Sequence, residues 1–237
     1  METTVIQKTY LSFGVYTSLL LSIITIITFG FAMTAIPPAG SYCPANCMTY
    51  PFPDILLYYP RDYYWMYLAI FQLFVFVIFG VTNHFVAQIK HKLFSFLSVV
   101  FTVISATVLL ITYFTQFSVV PISVMKGETE GIALLTQYNE HGLFIAMEEL
   151  GYIAMSIALF FLAFAFSKDT KKERIIRVIL IIQFILTIAA FIYYSVMLGL
   201  ERGYQFEVAT ITINWLAIII VGFLIGSHYK KQAKLIR

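Results

Sequence analysis

The chain has 237 residues, of which 60% are hydrophobic and only 11% are charged. Soluble domains are usually close to half apolar and a quarter charged, so this composition indicates an integral membrane protein. The formal net charge of +3 does not indicate nucleic-acid binding, because the basic residues lie in short segments between apolar runs and form no basic arm.

Six segments are apolar enough to cross a bilayer as helices, a crossing that takes about 20 residues. None of them carries Lys or Arg in its interior. The sequence therefore predicts an all-α fold, a polytopic membrane helix bundle that forms a single transmembrane domain over residues 1–237. The predicted spans are roughly 10–36, 63–84, 93–117, 143–167, 175–198 and 207–227.

The basic residues predict the orientation of the bundle. With the N-terminus in the cytoplasm, the outer side holds only Arg61, Lys126 and Arg202 of the 15 Lys and Arg residues. Such an excess on one side satisfies the positive-inside rule. Both termini are therefore expected in the cytoplasm, with the protein in the cytoplasmic (inner) membrane of the cell.

The longest outer loop, about residues 37–62, contains Cys43 and Cys47, the only two cysteines of the chain. The outer side of the membrane is oxidising, which favours a structural disulfide between them. A redox-active or metal-binding pair is the alternative, although the spacing is neither the two-residue redox spacing nor that of an ordinary zinc knuckle.

Aromatic residues follow this loop directly, at Tyr63, Tyr64, Trp65 and Tyr67. Tyr and Trp are enriched at membrane–water interfaces, so the first interpretation is an aromatic belt that anchors the second helix. The second interpretation is an aromatic lid over a binding cavity.

The fourth segment contains two adjacent acids, Glu148 and Glu149, roughly 10 Å along the helix from Gly142. A carboxylate at this depth is costly and needs a partner, a proton or water. Tyr152 lies one turn further on. The two acids could be structural hydrogen-bonding groups, or part of a site in which close carboxyl groups hold a proton near neutral pH. The second interpretation suits proton coupling or general acid chemistry.

Other segments offer polar groups at a similar or greater depth, and a polar cavity open to the outside is the simplest arrangement that satisfies them. Asn214 lies on the sixth segment and Gln183 deeper on the fifth. The predicted ligand-binding or proton-carrying set is Glu148, Glu149, Tyr152, Asn214, Tyr113, Gln116, Tyr194 and Gln183.

Patterns typical of metal or cofactor chemistry do not occur in the sequence. Three of the four histidines lie at or beyond the predicted cytoplasmic ends, and the acids lack the Glu-x-x-His spacing of a di-metal carboxylate bundle. There is no nucleotide-binding loop and no serine-nucleophile elbow. We therefore expect no metal and no cofactor, and the sequence does not favour an enzyme.

Several stretches carry a resemblance to a known group of proteins. They are GETEG at 127–131, LLTQYNEHG at 134–142, AMEELGY at 146–152, YPRDY at 59–63 and WMY at 65–67. With these stretches the chain resembles uncharacterised six-helix membrane proteins of bacteria and archaea, a family built on a domain of unknown function. The resemblance implies a prokaryotic inner-membrane protein and carries no established catalytic or binding residues.

The leading functional hypothesis is an outward-facing acidic cavity that binds or transports a small cationic or amphipathic ligand with proton coupling. The alternatives are an intramembrane enzyme acting on a lipid-like substrate and a structural or signalling membrane subunit. The expected partners are membrane lipid and a small-molecule ligand, with no nucleic acid. A homo-oligomer is compatible with the sequence.

Overall fold

The computed structural model of the protein describes residues 2–35 and 37–235. Over these residues the chain is all-α, without strands, and six of its helices are long and apolar enough to span a membrane, which confirms the predicted fold class. We label them α1 to α6. They run over Glu2–Ala32, Tyr64–Val86, Lys92–Ser118, Leu143–Ala163, Lys171–Leu198 and Gly203–Leu235.

Because the bundle has six long helices, residues 2 and 235 lie at the same end of it, which we call the terminal end. The opposite end, with the long connections after α1 and α3, is the loop end. Which end faces the cytoplasm stays a prediction. Some helices extend beyond the apolar spans, since a helix can continue past the bilayer: α1 begins at Glu2 and α6 at Gly203.

The bundle is closed by contacts between helices that are distant in the chain. Besides the sequential neighbours, α1 packs along α6 and α4 packs against α6. Of the six long helices, α4 is the most enclosed and α5 the least. The acids of α4 therefore lie in the best-shielded part of the fold.

Small residues bring α1 and α6 into close contact. Gly222 and Gly226 form a small-xxx-small pattern on α6 that faces Ser18, Leu19 and Ser22 on α1. A Cβ atom at Gly222 would lie 2.1 Å from the Ser22 Oγ, so no larger residue fits without a shift. The Ser22 hydroxyl donates to the Ile219 carbonyl at 3.0 Å and ties the two helices together.

The loop end carries a folded cap, which we define as residues 37–62 and 119–142. It contains 3-10 turns at Ile55–Tyr58 and from Arg61, and short helices at Val120–Met125 and Ile132–Leu135. Its two parts share an apolar cluster separate from the bundle core, formed by Ala39, Met48, Phe52, Ile55, Val120, Ile132 and Tyr138. The predicted disulfide between Cys43 and Cys47 is present in this cap.

The aromatic run at the start of α2 is divided between two surroundings. Tyr64 and Tyr67 are 49% and 43% exposed, as expected of side chains at a membrane interface. Tyr63 is fully buried, and Trp65 packs edge-on against Tyr113 with 5.1 Å between ring centroids. The run is thus partly on the surface and partly inside the protein, and both sequence interpretations stay predictions.

Candidate ligand-binding cavity

A cavity of about 350 Å³ lies between the cap and the loop end of the bundle. Ligand pockets in proteins usually start at about this size, so it suits a small molecule. Its wall is formed by the cap and by the adjoining ends of α1, α2, α4 and α6. Seven aromatic residues line it: Phe29, Tyr42, Trp65, Tyr138, Phe144, Tyr204 and Trp215.

The charged groups on the cavity wall are all acidic. They are Asp62, Glu140 and Glu207, and among the described residues no Lys, Arg or His lines the cavity. An acidic wall with aromatic faces attracts a cation through both the carboxylates and the ring quadrupoles.

Two of these three acids are already engaged within the protein. Asp62 accepts from Arg61 at 2.6 Å, and Tyr138 donates to its other oxygen at 3.2 Å. Glu140 accepts from the backbone amide of Ser41 at 2.7 Å, which links the two parts of the cap. Through these contacts Asp62 and Glu140 stabilise the cap.

Glu207 differs from the other two acids because its carboxyl group faces another carboxyl group, that of Glu148. It lies one turn into α6 and is almost fully buried, and no donor in residues 2–35 and 37–235 forms a hydrogen bond with its Oε2 atom. The start of α6 is held against the cap at Gly203, where a Cβ atom would lie 2.8 Å from the Glu140 carbonyl oxygen. Glycine at this position therefore lets α6 bring Glu207 under the cap.

Burial and neighbouring acids raise the pKa of two tyrosines in the cap. Burial raises the pKa of Tyr42, and the neighbouring Tyr194, Glu207 and Glu140 raise it further. Burial also raises the pKa of Tyr138, with Tyr63 and Asp62 adding to the effect. Both hydroxyl groups therefore stay neutral at physiological pH, and Tyr138 stays a donor to Asp62.

Glu148 lies behind Glu207, on the side away from the cavity. Its side chain is 0% exposed, and within the described chain neither of its oxygens has a hydrogen-bond partner of good geometry. Its carboxyl group faces that of Glu207, and the Tyr113 hydroxyl is also beside it. The Tyr113 and Tyr152 hydroxyls are 2.9 Å apart. Polar groups thus continue from the cavity wall into the bundle core.

Glu149, although adjacent in sequence, has a different role. Its Oε2 atom is 3.0 Å from Nη2 of Arg202, whose guanidinium also lies over the Phe191 ring at 5.0 Å. Adjacent helical positions point about 100° apart, which explains why the two acids meet different partners. Glu149 has a counter-ion in the protein and Glu148 has none among the residues described.

The other predicted residues lie around the cavity, and none of the eight predicted residues is on its wall. Asn214 donates to the Thr210 carbonyl at 2.8 Å and more weakly to that of Tyr152. Gln116 accepts from the Gln137 amide at 3.0 Å and so fastens α3 to the cap.

The remaining two lie towards α5. Gln183 exchanges hydrogen bonds with Ser156 and joins α4 to α5. Tyr194 is half-buried on α5 and close to Tyr42.

Sequence reasoning missed Glu207, the acid that reaches the cavity. The sixth predicted span begins at this residue, which placed it at the interface, whereas the helix begins four residues earlier. Helical spacing contained the information, since Glu207, Thr210 and Asn214 recur at intervals of three and four on one face. Asp62 and Glu140 carried no such pattern, because they come from the cap.

Metal chemistry finds no support in the part of the chain that is described, since no group of three His, Cys, Asp or Glu residues there is placed to hold an ion. Comparisons with protein families, with curated proteins and with solved structures find no match. The resemblance to uncharacterised six-helix membrane proteins therefore stays a prediction. What the structure itself defines is a class: a multi-pass membrane helix bundle with an acidic, aromatic cavity beneath a disulfide-containing cap.

Proposed function

We propose that this protein binds a small amphipathic organic cation in the cavity beneath the cap and exchanges it for a proton, as a proton-coupled transporter would. Glu207 is the counter-ion of the ligand, and Glu148 is the group that holds the exchanged proton. The observation that carries the proposal is the position of Glu207, a buried acid on the wall of a cavity that has seven aromatic residues and, among the described residues, no basic side chain. A second carboxyl group, that of Glu148, faces it.

The cavity wall provides the two kinds of group that recognise such a ligand, aromatic faces and a carboxylate. Aromatic faces attract alkylammonium groups through their quadrupole, and the attraction grows when water is excluded. Trp65, Trp215 and Tyr204 supply such faces, while Glu207 supplies the opposite charge. An anion of the same size would meet three carboxylates, so charge decides the specificity.

The proton follows from the pairing of two buried carboxyl groups. Two negative charges facing each other in a low-dielectric interior repel strongly, so the pair is more stable with one shared proton. A bound cation offsets the second charge, and the proton then leaves to water. The ionisable groups that face Glu207 are Glu148 and Glu149 on α4, Glu140 and Tyr42 in the cap, and Tyr204 and Tyr152.

One cation enters as one proton leaves, so the charge of the site is unchanged by exchange. That balance suits a protein that exchanges a cation for a proton across the membrane. It also predicts that the apparent affinity for the cation falls as the pH is lowered, because protons compete for the same carboxyl pair.

The tryptophans allow a direct binding assay, because the only two in the sequence, Trp65 and Trp215, both line the cavity. We propose titrating the purified protein in non-ionic detergent with benzyltrimethylammonium and recording tryptophan emission. Phenylmethanesulfonate, of similar shape and opposite charge, is the matched control. A saturable change with the cation and none with the sulfonate supports the proposal. Equal responses to both, or no response to the cation, contradict it.

A further inference from the structure

A second pocket, of about 290 Å³, lies at the terminal end of the bundle, where the α2–α3 connection meets the α4–α5 connection. We call it the basic pocket. It is lined by Lys90, His91, Phe94, Phe164, Ser167, Lys168, Asp169 and Arg177. It is at the opposite end from the cap and plays no part in cation binding.

The charge of the basic pocket is positive. Lys90, Lys168 and Arg177 face a single acid on the wall, Asp169. The nearby Glu173 is engaged elsewhere: it accepts from Ser167 at 2.7 Å and from the Thr170 amide and hydroxyl at 2.9 Å, where it completes the cap at the start of α5. Among the described residues, the carboxylate of Glu173 therefore forms no direct ion pair with the three cations.

One basic group, Arg177, is held in place before any ligand arrives, and His91 adds a ring nitrogen without a partner. Arg177 donates through Nη1 to the Phe166 carbonyl at 2.7 Å, and its guanidinium lies 5.1 Å from the centre of the Phe164 ring. Its remaining N–H groups stay available. His91 has a buried Nε2 atom that has no hydrogen-bond partner over the described ranges. Fixed donors of this kind favour a compact oxyanion such as a phosphate.

The rim of the basic pocket is apolar and continues onto the outer surface of the bundle. Phe94 and Phe164 pack together with 5.4 Å between ring centroids. Leu93 and Val178, next in sequence to pocket residues, are 65% and 53% exposed on membrane-spanning helices. An anionic group bound here thus has room for an attached hydrocarbon chain along the protein surface.

We infer that the basic pocket binds the phosphate headgroup of an anionic phospholipid, whose acyl chains lie against α3 and α5. Basic pockets between helix ends are suited to such headgroups. The predicted orientation places the pocket in the cytoplasmic leaflet, where anionic lipids give a negative surface potential. The inference is independent of the cation site.

Native mass spectrometry of the delipidated protein tests this inference. Phosphatidylglycerol and phosphatidylcholine are added separately at equal concentration in non-ionic detergent. We expect retained phosphatidylglycerol to exceed phosphatidylcholine by about tenfold, the equivalent of 1.4 kcal/mol. Equal retention of the two lipids overturns the inference.

Variants locate the lipid on the protein. Arg177→Gln and the exposed pair Lys90→Gln with Lys168→Gln are both expected to lose the excess of phosphatidylglycerol. Lys171→Gln is the matched control, because Lys171 is exposed nearby and does not line the pocket. The double variant removes no internal hydrogen bond of a buried side chain, so it answers the question even where Arg177→Gln unfolds. Wild-type retention in the double variant overturns the inference.

Inorganic phosphate distinguishes a lipid from a soluble ligand. At the same concentration it is expected neither to displace phosphatidylglycerol nor to raise the melting temperature of the protein. If phosphate alone displaces all of the phosphatidylglycerol and raises the melting temperature as much as phosphatidylglycerol does, the pocket binds a soluble phosphate compound. That result overturns the lipid assignment.

Discussion

Glu148 and Glu207 face each other, but only Glu207 touches the cavity. We therefore assign them separate roles: Glu207 pairs with the cation and Glu148 holds the proton. Glu149 is not equivalent to either, since Arg202 compensates its charge.

Glu148→Gln is expected to keep cation binding and to lose the release of a proton. Glutamine removes the carboxyl group that holds the exchanged proton in the proposal, so the bound cation has no proton to displace from that position. A pH-indicator dye in weak buffer measures the proton released when benzyltrimethylammonium is added. The exposed Glu128→Gln serves as control and should release protons as the wild type does. Wild-type release from Glu148→Gln would remove Glu148 from the mechanism.

Tyr138→Phe is expected to destabilise the cap by about 1–3 kcal/mol, because a buried carboxylate loses a donor. Asp62 is 2% exposed and keeps only its contact with Arg61 in this variant. Thermal unfolding followed by circular dichroism measures the change. Tyr64→Phe, at an exposed tyrosine of the same region, should leave the melting temperature unchanged, and an equal loss in both variants would contradict the assignment.

Among the helix pairs, the close contact between α1 and α6 can be tested by substitution. Gly222→Ala should destabilise the bundle by about 1–3 kcal/mol, since the added methyl overlaps Ser22. Gly30→Ala is the matched control, because a Cβ atom there meets nothing within 4 Å among the described atoms. In Gly30→Ala the better helix propensity of alanine should leave stability equal or slightly higher. A harmless Gly222→Ala would show that the helices are less tightly packed than described.

The disulfide is expected to stabilise the cap and to leave the bundle unaffected. Closing so short a loop restricts the unfolded chain by about 2 kcal/mol in the loop-entropy account. Cys43→Ser with Cys47→Ser should therefore speed hydrogen exchange in residues 37–62 and leave α4 protected. Faster exchange throughout α4 would show that the cap and the bundle unfold together.

The sequence was informative about helices and local pairs, but it did not show how the two parts of the cap meet. Apolar runs near 20 residues predict spans, and two cysteines close together in the longest predicted outer loop predict a disulfide; both are confirmed. The cap joins residues 37–62 to residues 119–142 through tertiary contacts that leave no periodic pattern. Asp62 and Glu140 therefore could not be placed on a common wall. Glu207 was missed because a hydropathy criterion excludes the polar first turn of α6.

At the scale of the whole molecule, the two ends have opposite character. The loop end carries the acidic cavity and the cap, and the terminal end carries the basic pocket. The orientation predicted from the basic residues puts the cap outside and both termini in the cytoplasm, and it stays a prediction.

The orientation can be tested with single cysteines in a protein that carries serine at positions 43 and 47. Glu130→Cys lies in the cap and Lys234→Cys near the end of α6. In intact cells a membrane-impermeant maleimide should label the first and reach the second only after permeabilisation. The reverse pattern would invert the bundle and move the cavity to the cytoplasmic side.

The central claim is that Glu207 pairs with a cation in the cavity beneath the cap. Its most direct test is the change in tryptophan emission on titration with benzyltrimethylammonium, compared between wild type, Glu207→Gln and the exposed control Glu130→Gln. We expect Glu207→Gln to weaken binding by about tenfold or more, the equivalent of 1.4 kcal/mol, and Glu130→Gln to bind as the wild type does. Equal affinity in a folded Glu207→Gln protein would contradict it.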